Sequence, residues 1–145
     1  MADPTEHAFE ADATIAATPD RVWAILVDSD HWADWDSGID SVTGRIEPGA
    51  KIVIRAKVAA GRAFPVKVTT FDAPTTLVFT GGMPLGLFRG VRTYTLTPKG
   101  SGTEFTMREE YSGPMLGAIW KSIPDLNPSF ARFTRGLKAR VESGV

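Results

Sequence analysis

The stretch DSDHWADWDSG, which begins at Asp28, concentrates groups that could bind a metal ion. It holds four aspartates and one histidine, His31, within eleven residues. A calcium loop starting at Asp28 would need glycine at its sixth position and glutamate at its twelfth, but Ala33 and Ile39 stand there. Zinc would need further nitrogen or sulfur ligands, and the chain has only one other histidine and no cysteine. We therefore expect no metal site.

A second set of polar groups lies on two neighbouring predicted strands. In TEFTMREEY, strand alternation places Glu109 on the same face as the apolar Phe105 and Met107. On the preceding strand, Arg92 and Tyr94 share a face. If both faces are concave, the arginine and the glutamate can pair and, with the tyrosine, orient a polar ligand head or polarise a carbonyl. The alternative is a structural ion pair beside a tyrosine that simply packs.

The elements that must position these groups can be read from the hydrophobic pattern. Residues 7–16 predict a strand, and TPDRVWAILVD predicts a short helix in which Thr18 caps and Pro19 takes the first helical position. From about residue 40, alternating runs separated by short turns predict about six antiparallel strands. In one of these runs, the residues predicted to share a face are Phe64, Val66, Val68 and Thr70.

The last part of the chain has helical spacing. GPMLGAIWKSI predicts a helical segment that Pro124 interrupts, and Asn127 offers a cap for a long final helix. The apolar stripe predicted for this helix consists of Phe130, Phe133, Leu137 and Val141. A helix with one apolar face can cover the face that an antiparallel sheet must bury.

The bulk composition excludes several functions. The length of 145 residues fits one domain over 1–145, and the net charge of −1 favours neither nucleic acid nor an anionic membrane. The absence of cysteine excludes disulfides and thiolate chemistry. The chain starts without a recognisable secretion signal, and its longest apolar run, VWAILV, is too short to span a bilayer. We expect a cytoplasmic protein without a cofactor, a nucleic-acid partner or an integral membrane segment.

The connection GGMPLGLFRG is unusually apolar for a loop. Met83, Leu85, Leu87 and Phe88 lie between glycines, although loops usually run over the surface. Two interpretations stay open. The connection could be a mobile portal or a segment that dips into a membrane, or it could fold over the last helix and close the core.

The order and spacing of several motifs resemble the START/Bet v 1-like (SRPBCC) superfamily, in its polyketide cyclase/dehydrase and lipid-transport branch. The matching stretches are ATPDRVWAILVDSDHWADWDSGI, EPGAKIVI, RTYTLTP with KGSGTEF, REEYSGPM and FARFTRGLKARVES. The resemblance implies an α+β helix-grip fold. In it, a curved seven-stranded antiparallel sheet wraps around a long C-terminal helix, two short helices join strands 1 and 2, and a hydrophobic cavity separates sheet and helix.

The resemblance also implies a function, because relatives bind lipids, sterols, polyketides or other apolar molecules. We predict binding or transport of a hydrophobic or amphipathic small molecule. One alternative is a polyketide cyclase/dehydratase-type enzyme that uses Glu109, Tyr94 or Arg92 in the same pocket. Another is a protein-interaction module, since co-chaperones that stimulate Hsp90 share the fold. A homodimer is compatible with the family, although no residue pattern indicates one.

The predicted pocket combines aromatic walls with one charged pair. Many relatives carry Gly-Glu-His where this chain has Gly90-Val91-Arg92. Arg92 cannot act as a general base near neutral pH, but it can bind a carboxylate, phosphate or enolate oxygen. The predicted lining residues are Trp35, Phe71, Phe79, Phe88, Arg92, Tyr94, Phe105, Met107, Glu109, Trp120 and Phe130.

Overall fold

The computed structural model describes residues 7–59 and 62–144, which form one antiparallel sheet and three helices. The sheet has the spatial strand order β1-β7-β6-β5-β4-β3-β2. Its strands are β1 (Ala8–Ile15), β2 (Ile39–Thr43), β3 (Lys51–Ala56), β4 (Phe64–Asp72), β5 (Thr76–Gly82), β6 (Arg89–Lys99) and β7 (Gly102–Ser112). The helices are α1 (Pro19–Leu26), α2 (Leu116–Ile119) and α3 (Asn127–Glu142). Short 3-10 turns span Ser29–Asp34, Lys57–Ala59, Pro84–Gly86 and Trp120–Ser122.

Helix α3 lies in the curl of the sheet, which confirms the predicted helix-grip fold. The predicted apolar stripe of this helix is buried against the sheet, because one face of α3 and the concave face of the strands each need an apolar partner. Thr18 caps α1 as predicted, with its Oγ1 accepting a hydrogen bond from the backbone N–H of Arg21 at 3.4 Å. Among the described residues, no helix has the length and apolar character needed to cross a bilayer.

The acidic and aromatic stretch that follows α1 anchors the chain to the core. Trp32 is buried, and its Nε1 donates to the carbonyl of Leu26 at 3.0 Å. The Ser37 hydroxyl donates to the Trp32 carbonyl at 2.6 Å. Asp36 accepts a hydrogen bond from Nε of Arg132 on α3 at 2.7 Å. The stretch therefore forms an anchored turn that its tryptophan and polar side chains hold in place.

This stretch packs tightly against α3 at Gly136. A Cβ atom at position 136 would overlap the carbonyl oxygen of Asp36 and would lie 3.0 Å from Cε3 of Trp35. A glycine inside a helix costs roughly 0.5–1 kcal/mol relative to alanine. Glycine is needed at this position, because the side chain of any larger residue would overlap the backbone of Asp36.

Strand β4 departs from the predicted alternation. Its pairing with β5 shifts register between Val68 and Thr70. Beyond the shift, Phe71 pairs with the buried Leu77 and is itself half-buried, whereas Thr70 is exposed. The prediction that Thr70 shares the face of Val68 was therefore wrong, because the irregularity reverses which residues point inward.

The predicted cap of the last helix was also wrong. Asn127 is the first residue of α3, and the capping position belongs to Leu126, which makes no side-chain cap. The Asn127 side chain instead accepts a hydrogen bond from the backbone N–H of Glu10 at 3.0 Å. An edge strand leaves such N–H groups without a partner, so the asparagine satisfies β1 rather than its own helix.

Two further α3 side chains bind the backbone along the free edge of β1. Lys138 donates to the carbonyl of Thr14 at 2.7 Å. Glu142 accepts from the N–H of Ala16, just after the strand, at 2.8 Å. Together with Asn127, they fasten α3 along the whole length of this edge and cover it against pairing with another chain.

Candidate functional site

The centre of the concave face carries one charged pair. Arg92 on β6 and Glu109 on β7 are direct cross-strand partners, and their side chains are only 19% and 13% exposed. Arg92 Nε lies 3.4 Å from Glu109 Oε1, and its Nη2 donates to Oε2 at the same distance. Well-formed pairs of this kind are closer, at about 2.7–2.9 Å. Phe130 of α3 lies against the guanidinium, whose Cζ is 4.8 Å from the ring centroid.

Tyr111 completes the polar cluster on the side of the glutamate. Its hydroxyl donates to Oε2 of Glu109. The residue opposite Tyr111 on β6 is Gly90, where a Cβ atom would lie 3.2 Å from the tyrosine ring. The sequence pattern placed Tyr111 on the inner face of its strand, but the predicted pocket residues did not include it. The alternation of inward-facing and outward-facing residues along β7 was the sequence signal that could have added Tyr111 to them.

Tyr94 contributes a buried hydroxyl that lacks a partner. The side chain has no exposed surface, and its hydroxyl makes no hydrogen bond with any described residue. The same is true of Arg92 Nε, two residues earlier on the same face of β6, and of the Thr134 hydroxyl on the buried face of α3. Buried polar side-chain atoms are normally hydrogen-bonded, so this group of unfilled donors is unusual.

The electrostatics of the cluster set its protonation. Burial alone would lower the pKa of Arg92, but the Glu109 carboxylate and the neighbouring phenols outweigh burial, and its pKa is raised. Burial raises the pKa of Tyr94, with Arg92 opposing it. Burial and the Glu109 charge together raise the pKa of Tyr111. Near neutral pH the site therefore holds a guanidinium cation and two phenols that keep their protons and donate hydrogen bonds.

Aromatic rings cover the charged pair toward the start of β1. The Phe9 and Trp120 rings stack at 5.4 Å, and Phe88 stacks on Tyr111 at 5.8 Å. Trp120 also contacts the Tyr111 ring, at 5.6 Å. This cover limits the access of water to the arginine and the glutamate, and it comes partly from the short segment between β7 and α3.

Most of the predicted pocket residues converge. Those around the pair are Phe79, Arg92, Tyr94, Phe105, Met107, Glu109 and Phe130. Phe88 and Trp120 join them through Tyr111. Two predicted residues lie apart. The Phe71 ring lies 5.2 Å from that of Trp23 on α1, and the Trp35 ring lies 5.2 Å from that of Phe133 on α3.

The interior in which a cavity was expected is occupied by side chains. The Tyr94 ring lies 5.4 Å from Phe79, 6.2 Å from Phe105 and 6.0 Å from Phe133, and all of these rings are buried. Two surface pockets lie elsewhere. One, of about 220 Å³, is lined by Ile25, Asp28, His31, Trp35 and Arg140. The other, of about 260 Å³, is lined by Val91, Thr93, Thr95, Thr106, Arg108 and Glu110.

Sequence comparison agrees with this architecture. The family model described as polyketide cyclase / dehydrase and lipid transport matches residues 6–142. The chain belongs to this family. No curated protein matches the chain significantly in sequence.

Solved structures share the fold of this polyketide cyclase/dehydrase and lipid-transport family protein at low sequence identity. Protein MLL2253 of Mesorhizobium loti has a TM-score of 0.72 and 18% identity, with 95% of this chain and 98% of that chain covered. A START superfamily protein of Mycobacterium smegmatis has a TM-score of 0.69 and 12% identity, covering 96% and 99%. DynU16, a protein of the dynemicin biosynthetic locus, has a TM-score of 0.70 and 18% identity over 99% of this chain and 49% of its own.

The apolar β5–β6 connection of this family member does not close the core. Leu85 is 96% exposed, and Met83 and Leu87 are exposed as well. Of its large apolar side chains, Phe88 alone turns inward, onto Tyr111. The interpretation that the loop folds over the last helix is therefore wrong for these three side chains.

The acidic stretch shows a local contact instead of a cation site. Asp28 Oδ2 lies 2.8 Å from Nδ1 of His31. Within residues 7–59 and 62–144, no group of three or more histidine, aspartate or glutamate side chains is arranged to hold a metal ion. Asp36 and Asp40 pair with cations from other elements, Arg132 and Lys57.

Proposed function

We propose that this protein binds an amphipathic small molecule between the concave sheet and α3, with an oxygen-bearing head group on Arg92 and Tyr94. The supporting observation is the pair of unfilled donors, Arg92 Nε and the Tyr94 hydroxyl, buried on one face of β6. Leaving such donors unpaired costs about 1–3 kcal/mol each. A carboxylate or an enolised carbonyl would satisfy both, and the surrounding aromatic rings would bury an apolar body.

Room for the ligand comes from the segment between β7 and α3. The regular structure of this segment is limited to the four residues of α2 and one 3-10 turn, and its Leu116, Ile119 and Trp120 side chains are half-buried. Trp120, which covers the charged pair, belongs to it. A ligand displaces this cover more readily than it displaces α3, which is fastened to β1.

The first test is native mass spectrometry of the purified protein, followed by extraction and mass analysis of any released molecule. The second is titration with hexadecanoic acid and with hexadecanol, which share an apolar chain and differ in the head group. We expect tighter binding of the acid. Equal affinity for acid and alcohol, or binding of neither probe by a protein without a co-purified molecule, would contradict the proposal.

Variants make the titration specific. Tyr94→Phe and the double variant Arg92→Met/Glu109→Gln should weaken binding of the acid and leave that of the alcohol unchanged. Arg108→Met is the matched control, because Arg108 lies on β7 but pairs with Glu10 and Glu110 outside the cluster. An unchanged preference for the acid in the double variant would refute the proposed head-group site.

A cyclase/dehydratase-type activity is the second candidate. The observation that favours it is the position of Glu109, which accepts a hydrogen bond from Tyr111 and lies opposite Arg92. A carboxylate is thus held beside Arg92 and Tyr94, the donors that would bind a carbonyl oxygen. Glu109 would accept a proton from the carbon next to that carbonyl, and Arg92 and Tyr94 would stabilise the enolate oxygen. Loss of product from a poly-β-ketone substrate in Glu109→Gln, with binding and fold intact, would support it. Undiminished product formation would exclude this role.

The close packing of the interior favours a third candidate, an interaction module resembling the activators of Hsp90. A protein that takes up neither probe and co-purifies with no small molecule would support it. A cytoplasmic location and a homodimer stay predictions, which fractionation of cells and light scattering of the purified protein can test.

A further inference from the structure

The exposed large hydrophobic side chains of the described residues gather at one end of the sheet. We name this set the apolar rim, and its members are Val58, Phe64, Met83, Leu85, Leu87 and Met115. They belong to the β3–β4, β5–β6 and β7–α2 connections, which antiparallel pairing brings to the same end. Single exposed apolar residues are common, but a contiguous set marks an interaction surface.

Neighbouring contacts show that the rim is continuous. Phe64 is the first residue of β4 and pairs with Ile54 of β3, and Met83 directly follows the end of β5, the other neighbour of β4. The backbone N–H of Met115 donates to the carbonyl of Leu87 at 2.8 Å, which joins the β7–α2 corner to the β5–β6 connection. The rim therefore runs along the end of the sheet from β3 to β7.

Leu85 is both strained and exposed. Its φ of 61° lies in the left-handed region, which is unfavourable for leucine and better suited to glycine or asparagine. Its side chain is 96% exposed, so no burial within the chain offsets this strain. Strain of this kind concentrates at functional positions. A leucine held outward at a loop tip indicates a surface that is buried on a partner.

Charge identifies the partner. The exposed Arg62 of the β3–β4 connection, Arg89 at the start of β6 and Lys121 in the turn after α2 form no ion pair with a carboxylate of the described residues. Asp40 is neutralised by Lys57 at 2.5 Å, whereas Asp125 keeps its charge and accepts a hydrogen bond from the backbone N–H of Asn127. An apolar tip flanked by free cations complements acyl chains beneath anionic head groups.

We propose that the apolar rim docks on an anionic phospholipid bilayer, with Leu85 inserted at the acyl boundary and the cations at the head groups. The net charge of −1 does not predict this, because acidic residues elsewhere hide the local excess of cations. The proposal goes beyond the ligand-binding function and does not require it. Leu85 lies on the surface, outside the interior that Arg92 and Tyr94 would use.

The test is co-sedimentation with vesicles of phosphatidylcholine alone and with vesicles that also contain phosphatidylglycerol. We expect partition onto the anionic vesicles and much weaker partition onto the neutral ones. Leu85→Asn suits the left-handed backbone and should lower partition about tenfold, since a buried leucine contributes one such factor or more. Tyr94→Phe should partition like the wild type, because vesicle binding does not use the interior.

Arg89→Glu and Arg45→Glu form a matched pair with the same change of charge. Arg45 is exposed in the β2–β3 connection at the opposite end of the sheet. We expect Arg89→Glu to lower partition onto anionic vesicles severalfold and Arg45→Glu to leave it unchanged. Equal loss in both variants, no partition of the wild type, or a dimer in solution that Leu85→Asn dissociates would each overturn the proposal.

Discussion

Arg92 and Glu109 face each other directly across β6 and β7, with Nε and Oε1 3.4 Å apart in the interior of the sheet. The distance matters because the two charges neutralise each other while Nε of the guanidinium is left without a hydrogen-bond partner. The pair therefore combines a structural role with remaining capacity to bind an oxygen atom.

Breaking this pair from one side should be costly. Arg92→Met leaves the Glu109 carboxylate buried without its cation, and we expect a loss of about 3 kcal/mol in the free energy of unfolding. Arg92→Met/Glu109→Gln removes both charges and should cost less than half as much. Urea unfolding of the two variants measures the difference. Equal losses would mean that the arginine stabilises the fold through packing alone.

Loss of the hydroxyl should change the free energy of unfolding with opposite signs in the buried Tyr94 and the half-buried Tyr111. Tyr94→Phe removes an unpaired polar atom and should raise the free energy of unfolding by about 1 kcal/mol. Tyr111→Phe removes the hydrogen bond to Glu109 and should lower it by about 1–2 kcal/mol. Urea unfolding provides both values. A lower free energy of unfolding in Tyr94→Phe would show that this hydroxyl has a hydrogen-bond partner in solution.

The close approach at α3 predicts a strong effect of one methyl group. Gly136→Ala places a Cβ atom against the carbonyl oxygen of Asp36, and we expect destabilisation by about 2 kcal/mol. Gly117→Ala is the control, since it adds the same methyl group in α2 with no atom within 4 Å. It should be neutral or slightly stabilising. Thermal unfolding of the two variants measures the difference. Similar midpoints would contradict the close approach of the Asp36 backbone to Gly136.

The contact between His31 and Asp28 predicts a pH dependence. The Asp28 carboxylate raises the pKa of His31 above 6.5, mainly by accepting a hydrogen bond from the ring and secondly through its negative charge. Because the folded-state pKa is the higher one, the stabilisation is complete below pH 6.5 and is lost as the pH rises through the raised value.

Titration of the His31 ring by NMR measures this shift. Asp28→Asn should return the pKa toward 6.5, whereas Asp34→Asn should move it less, since Asp34 acts only through its charge at longer range. A pKa of His31 that is the same in wild type and Asp28→Asn would show that the contact does not form in solution.

The sequence was sufficient to predict the pairing at the centre of the site. The period of two along β6 and β7 assigns Arg92 and Glu109 to inner faces, and the tight turn between the strands aligns them. Helical spacing likewise predicted which face of α3 is buried, because the period of 3.6 leaves only one apolar stripe.

Other features depend on contacts that no local pattern encodes. The register shift in β4 exchanges Thr70 for Phe71 on the inner face, and it is set by pairing with β5. The Tyr94 ring lies 6.0 Å from the Phe133 ring of α3, a contact between sheet and helix that the pattern of β6 does not encode. Asn127 looked like a helix cap, but the free edge of β1 takes its side chain. Tertiary partners decide such cases.

The fastening of α3 to the edge of β1 has a kinetic consequence. Lifting this helix would expose the backbone groups that Asn127, Lys138 and Glu142 now satisfy, so it amounts to partial unfolding of the domain. A small molecule that binds as we propose would instead enter through a small fluctuation around Trp120. Its exchange rate would then be decoupled from global stability, so a variant such as Gly136→Ala would unfold earlier yet bind and release the molecule at the wild-type rate.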